Sequence, residues 1–105
     1  MPNEEPLHAF RAAHQRGETV VDVREEVEYT AGHVPGAVSI PLHRLAAQLD
    51  RVPPGRVHVV CASGNRSKVA AEMLRRAGRD AVSVAGGTAA WHHAGGTLAL
   101  GRYAA

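Results

Sequence analysis

Cys61 is the single cysteine of this 105-residue chain, and its neighbours suit a reactive thiol. Val57-His58-Val59-Val60 reads as a buried strand that delivers Cys61 at its end. Ala62-Ser63-Gly64-Asn65-Arg66 follows as a tight polar loop. From Ser67 a helical pattern begins, with Val69, Ala70, Met73, Leu74 and Ala77 on one face. Strand, short loop and helix turn main-chain N–H groups inward and add the positive end of a helix dipole. A thiol at the mouth of such a loop should have its pKa lowered and stand as thiolate near neutral pH. The chemistry open to it is nucleophilic attack on sulfur or phosphorus.

Nearby residue types support that site rather than a second one. Gly64 allows close backbone approach, and the Ser67 hydroxyl can cap the following helix. Asp22 is expected to brace the active loop from a neighbouring strand end, and Arg24 to pair with Glu28 or another nearby acid. His33, just after Gly32, reads as a turn residue making local hydrogen bonds. None of the seven histidines forms the i, i+4 pair of a helical zinc site, and His92 and His93 project about 100° apart on a helix. No metal and no cofactor is expected. Trp91 reads as a core anchor, with a wall of the active-site entrance as the alternative.

The elements that must position Cys61 alternate between strand and helix. Leu7, Phe10, Arg11 and His14 share a helical face that Gly17 ends. Thr19–Val23 is a strand, Glu25–Ala31 a short helix, and His33–Ala37 a turn built on Pro35-Gly36. Val38–Ile40 is a short strand, and Pro41 opens a helix continued by Leu42, Leu45, Ala46 and Leu49. Pro53-Pro54-Gly55 breaks it before the Cys61 strand. Ala81–Ala85 forms another strand, and Gly86-Gly87 turns into a last helix around Trp91. The tail from Thr97 to Ala105 carries no strong signal. Strands near Val20, Val59 and Val82 are continuous apolar runs, as in sheets covered on both faces. These features predict one α/β domain over residues 1–105 with a mainly parallel sheet of four to five strands between helices. Ligands bind such sheets beyond the carboxyl ends of the strands, where Cys61 lies.

Composition excludes several other roles. Twelve basic residues against ten acidic ones are spread along the chain, and aromatics make up 4%. That is no nucleic-acid surface. No apolar stretch approaches the ~20 residues that cross a bilayer, and the acidic start is unlike a signal peptide. One cysteine needs no oxidising compartment, so a cytoplasmic location is expected.

Five short motifs occur in order: Val21-Asp22-Val23-Arg24, Gly32-His33-Val34-Pro35-Gly36-Ala37, Ile40-Pro41, Cys61-Ala62-Ser63-Gly64-Asn65-Arg66-Ser67, and Gly86-Gly87 followed by Trp91. Together they resemble the rhodanese (sulfurtransferase) domain, with a core from about residue 7 to 96. The resemblance implies a three-layer rhodanese-like fold. It also implies that Cys61 takes a sulfur atom from a donor, becomes a persulfide, and hands it to cyanide, a thiol or a protein acceptor. On this reading Ala62, Ser63, Gly64, Asn65, Arg66 and Ser67 form the substrate cradle, and Arg66 closes it or pairs with an acid. The donor would be a small anionic sulfur compound, thiosulfate or a persulfide. Ala62 and Ser63 stand where efficient thiosulfate users often carry cations, which points towards a persulfide. A docking or sulfur-relay module is the alternative. A phosphatase or arsenate reductase is disfavoured, because related phosphatases resemble Cys-x5-Arg while four residues separate Cys61 from Arg66.

Overall fold

The computed structural model describes residues 3–102; Met1, Pro2 and the tail residues 103–105, Tyr103 included, lie outside the described residues. Five strands, β1 (Glu4–Glu5), β2 (Thr19–Asp22), β3 (Val38–Ser39), β4 (Val57–Val60) and β5 (Ala81–Val84), form one sheet in the order β1-β5-β4-β2-β3. Every pairing is parallel, with Val21 opposite Val59 and Val59 opposite Ser83 across the central three strands. The architecture is α/β, as the alternation of elements predicts.

Alternation along the strands divides the core between two faces. Val21, Val57 and Val59 pack with Leu45, Val52, Ala70 and Leu74, from α3 (Leu42–Leu45), the following 3-10 helix (Ala46–Arg51) with its exit, and α4 (Asn65–Arg76). Val20, Val60 and Val84 pack with Phe10, Tyr29 and Trp91, from α1 (Leu7–Gln15), α2 (Glu26–Ala31) and α5 (Gly87–His93). Each fully buried side chain of this size contributes about 1.5–3 kcal/mol.

Three details differ from the sequence expectation. The helix opened by Pro41 is α for four residues and then 3-10, with Gln48 off helical geometry at φ −124°, ψ 29°. α4 begins at Asn65, two residues before Ser67, because Gly64 takes up the left-handed turn immediately before it. β1 was not expected from two charged residues. It is fixed by the N–H groups of Ser83 and Ala85, which donate to the carbonyls of Asn3 and Glu5, and by the Glu5 carboxylate, which meets Nδ1 of buried His58 at 2.5 Å. The other ring nitrogen of His58 meets Glu18 at 2.8 Å.

The segment that follows α5 is held against the domain. Trp91 Nε1 donates to the Thr97 carbonyl, and Ala99 exchanges both main-chain bonds with His33 at 2.8 and 2.9 Å. His33 makes the local hydrogen bond expected of it and is also fully buried. Its Nδ1 meets the Tyr29 carbonyl at 3.0 Å, and its ring stacks on Tyr29.

Candidate active site

Cys61 leaves β4 at the carboxyl edge of the sheet and is 1% exposed. Its carbonyl accepts from the Thr88 N–H at 2.8 Å, and the Ala62 carbonyl accepts from Ala89 at 3.0 Å. In a trans peptide the C=O and the next N–H point opposite ways. Anchoring both carbonyls on α5 therefore turns the Ala62 and Ser63 N–H groups towards the loop interior. Gly64 completes the turn at φ +111° and donates its N–H to Cys61 Sγ at 3.0 Å. α4 starts with no side-chain cap, so the N–H groups of Asn65 and Arg66 have no partner among the described residues.

Space for this arrangement depends on Gly87. A Cβ there would collide with the Cys61 carbonyl oxygen and lie 3.0 Å from the Ala62 carbonyl carbon. The Gly86-Gly87 pair thus lets α5 sit directly against the loop. Trp91 itself packs with Phe10 and His14 in the core, away from the loop, which answers to the core-anchor reading.

The Ser67 hydroxyl lies 3.4 Å from Sγ, 3.1 Å from the Gly64 carbonyl and 2.7 Å from the Ser83 hydroxyl. Both serines are fully buried. With Ser83 donating to Ser67, the Ser67 proton is free to point at a thiolate. Burial pushes the Cys61 thiol up, but the Ser67 hydroxyl and the N–H groups of Ser67, Gly64 and Ser63 outweigh it and hold the pKa below its ordinary value.

Of the sequence-predicted residues, Cys61, Ser63, Gly64 and Ser67 converge on the sulfur, Ser63 through its main chain. Ala62 lines the adjoining cleft, and the Asn65 side chain is exposed. Arg66 takes the acid-pairing course: its guanidinium meets both oxygens of Glu28 at 2.7 and 3.0 Å, linking α4 to α2. The Arg66 bonds, working against partial burial, pull the Glu28 carboxyl down to about 2.

One of the expectations for Asp22 and Arg24 needs correction. Arg24 pairs with an acid as expected, and of the acids open to it the partner is Asp22, through Nε at 3.0 Å and Nη2 at 2.7 Å, while Glu28 is held by Arg66. Asp22 does not brace the loop directly. It is wholly buried, and its partner among the described residues is Arg24, whose Nη2 also donates to the Gly32 carbonyl. The pair holds α2 beside the site. Ser83 was missed, although a serine within Ala81-Val82-Ser83-Val84 is a visible polar break in an apolar strand.

A cleft of about 290 Å³ opens beside the loop, lined among others by Ala62, Arg24, Glu28, Thr88, His92 and Leu98. Among the described residues no group of three or more His, Cys, Asp or Glu side chains could hold a metal ion, and no helix is long and apolar enough to cross a membrane.

The sequence pattern of the rhodanese-like domain matches residues 7–94, and the chain belongs to that family. A rhodanese-related protein from Thermoplasma volcanium superposes with a TM-score of 0.85 at 30% identity, over 92% of this chain and 97% of that one. A rhodanese-like domain protein from Staphylococcus aureus gives 0.83 at 30% identity, over 95% and 98%. A thiosulfate sulfurtransferase from Pseudomonas aeruginosa gives 0.78 at 29% identity; the likeness covers 96% of this chain and 20% of that enzyme.

Proposed function

We propose that the protein is a sulfurtransferase that carries a sulfane sulfur on Cys61. The observation that carries this reading is the cradle of main-chain donors around Sγ, with the Gly64 N–H at 3.0 Å. Preorganised donors stabilise an anionic sulfur without reorienting during reaction. The Cys61 thiolate attacks the outer sulfur of a donor; a new S–S bond forms and the donor's own bond to that sulfur breaks. With thiosulfate the leaving group is sulfite, and with a persulfide RSSH it is the thiolate RS⁻, the proton passing to solvent. An incoming nucleophile then attacks the outer sulfur of the Cys61 persulfide, and Cys61 departs as thiolate. Sulfur moves at constant oxidation state, so no external oxidant is needed, and two half-reactions predict ping-pong kinetics.

The charge balance favours a persulfide donor over a dianion. Arg66 is neutralised by Glu28, and Ala62 and Ser63 add no cation at the mouth. A lone thiol that must cycle through thiolate fits a reducing compartment such as the cytoplasm.

Purified protein is incubated with thiosulfate or a small-molecule persulfide, then with cyanide, and thiocyanate is measured. The expected result is turnover with the persulfide, weaker turnover with thiosulfate, and none for Cys61→Ser. No thiocyanate from several persulfide donors would defeat the reading. Cys61-dependent hydrolysis of an aryl phosphate in its place would support phosphoryl chemistry.

A further inference from the structure

The cleft beside the loop has features that the cradle alone does not require. Two ionic groups in its wall are already compensated, Arg24 by Asp22 and Glu28 by Arg66, and the third titratable residue of the lining, His92, is exposed to solvent. The remaining lining is mostly small or apolar: Ala31, Gly32, Ala62, Ala89 and Leu98. Leu98 comes from the C-terminal segment, which the paired main-chain bonds between Ala99 and His33 hold across Gly32. Thr88, 5% exposed, lines the same cleft, and its hydroxyl has no hydrogen-bond partner among the described residues. A buried hydroxyl without a partner is rare in folded proteins and gains one when a polar ligand group arrives.

We propose that this cleft takes the sulfur acceptor, a low-molecular-weight thiol of low charge bearing one hydrogen-bonding group, with Thr88 and Leu98 setting its specificity. The inference rests on the sulfurtransferase reading above. Compensated ion pairs give no net field to draw a polyanion, and about 290 Å³ is at the lower limit of ordinary small-molecule sites. Leu98 closes one side to bulk, and Thr88 reads a hydroxyl or carbonyl on the acceptor. The acceptor thiolate RS⁻ attacks the outer sulfur of Cys61–S–SH, the RS–S bond forms, the Cys61–S bond to that sulfur breaks, and the products are RSSH and the Cys61 thiolate.

Two experiments test this. In the first, Cys61 is loaded with one sulfur, and its discharge by ethanethiol, 2-mercaptoethanol, glutathione and cyanide is followed by intact mass. Each thiol's rate is divided by its rate with a small-molecule persulfide, which removes intrinsic reactivity. The expected preference for 2-mercaptoethanol over ethanethiol is about fivefold, as for one hydrogen bond. Thr88→Val should abolish it and Thr88→Ser retain it. Leu98→Ala should raise the ratio of glutathione to 2-mercaptoethanol by about tenfold. Discharge by cyanide with no thiol preference, or ratios unmoved by either substitution, would overturn the cleft assignment while leaving sulfur transfer standing.

The second experiment needs no sulfur loading. The thioether 2-(methylthio)ethanol is titrated into the sulfur-free protein and followed by NMR. Perturbations centred on Thr88, Ala89 and Leu98 are expected. None there, or perturbations spread over other surfaces, would overturn the proposal whatever the outcome of the activity assay.

Discussion

Ser67→Ala should weaken the Cys61 thiolate by an amount the geometry fixes. In the thiolate form the Ser67 hydroxyl, polarised by Ser83 at 2.7 Å, donates to Sγ at 3.4 Å. Hydrogen bonds to charged groups are worth about 1.5–3 kcal/mol, but this one is long, so about 1 kcal/mol is the better figure. At 1.36 kcal/mol per tenfold, the acid dissociation constant of the Cys61 thiol should fall about fivefold. The thiolate should not vanish, because the Gly64 N–H remains at 3.0 Å. Thiolate absorbance followed across pH reads this directly, since Cys61 is the single cysteine and Cys61→Ser supplies the blank. Sulfur loading from a persulfide donor should slow in proportion to the thiolate lost. Ser83→Ala, which leaves Ser67 in place, should have a smaller effect in the same direction. An unchanged titration in Ser67→Ala would mean that the hydroxyl proton stays on the Gly64 carbonyl, 3.1 Å away, and the hydroxyl's part in the argument would be wrong.

Other expectations follow from the same contacts. Gly87→Ala meets a left-handed φ of +55° and the Cys61–Ala62 backbone; the conformational part alone costs about 1–2 kcal/mol, so thermal melting should fall by roughly 4–16 °C. Burial works against charge on His58, yet Glu5 and Glu18 outweigh it and raise its pKa above 6.5. Its stabilisation is therefore complete below 6.5 and lost as pH rises through the folded value; urea midpoints should fall on that alkaline side, and His58→Gln should flatten the decline. Glu28 has the opposite sign: lowered from 4.5 to about 2, it stabilises above 4.5 and ceases to as pH falls towards 2. Glu28→Gln should therefore lose stability at neutral pH and show a shallower acid decline in denaturant unfolding.

Much of the fold was legible because its signals are local. Apolar runs at Val20, Val59 and Val82 marked strands covered on both faces, and Gly17 marked a helix end. β1 was not legible, since Glu4 and Glu5 become a strand only through pairing with β5 and through the buried imidazole of His58. The tail was equally silent, because its position comes from His33 and Trp91, far away in sequence. At the candidate site, Cys61, Gly64 and Ser67 could be picked out from type and spacing within one loop. The sequence leaves two options for Arg66 and more than one acid for Arg24, and the loop-bracing role expected of Asp22 is replaced by its pairing with Arg24. Which acid meets which guanidinium depends on how α2 and α4 are placed across the sheet, and no local pattern encodes that. Ser83 lies on a neighbouring strand and meets Ser67 only through the parallel register.

The most direct test is the mass of the freshly purified, unreduced protein after exposure to a persulfide donor, with the modified position located by fragmentation. One added sulfur atom on Cys61, removed by cyanide with recovery of the original mass, is the predicted result. An unmodified Cys61 after exposure to several donors, in protein shown to be folded, would contradict the claim that this cradle holds a transferable sulfur.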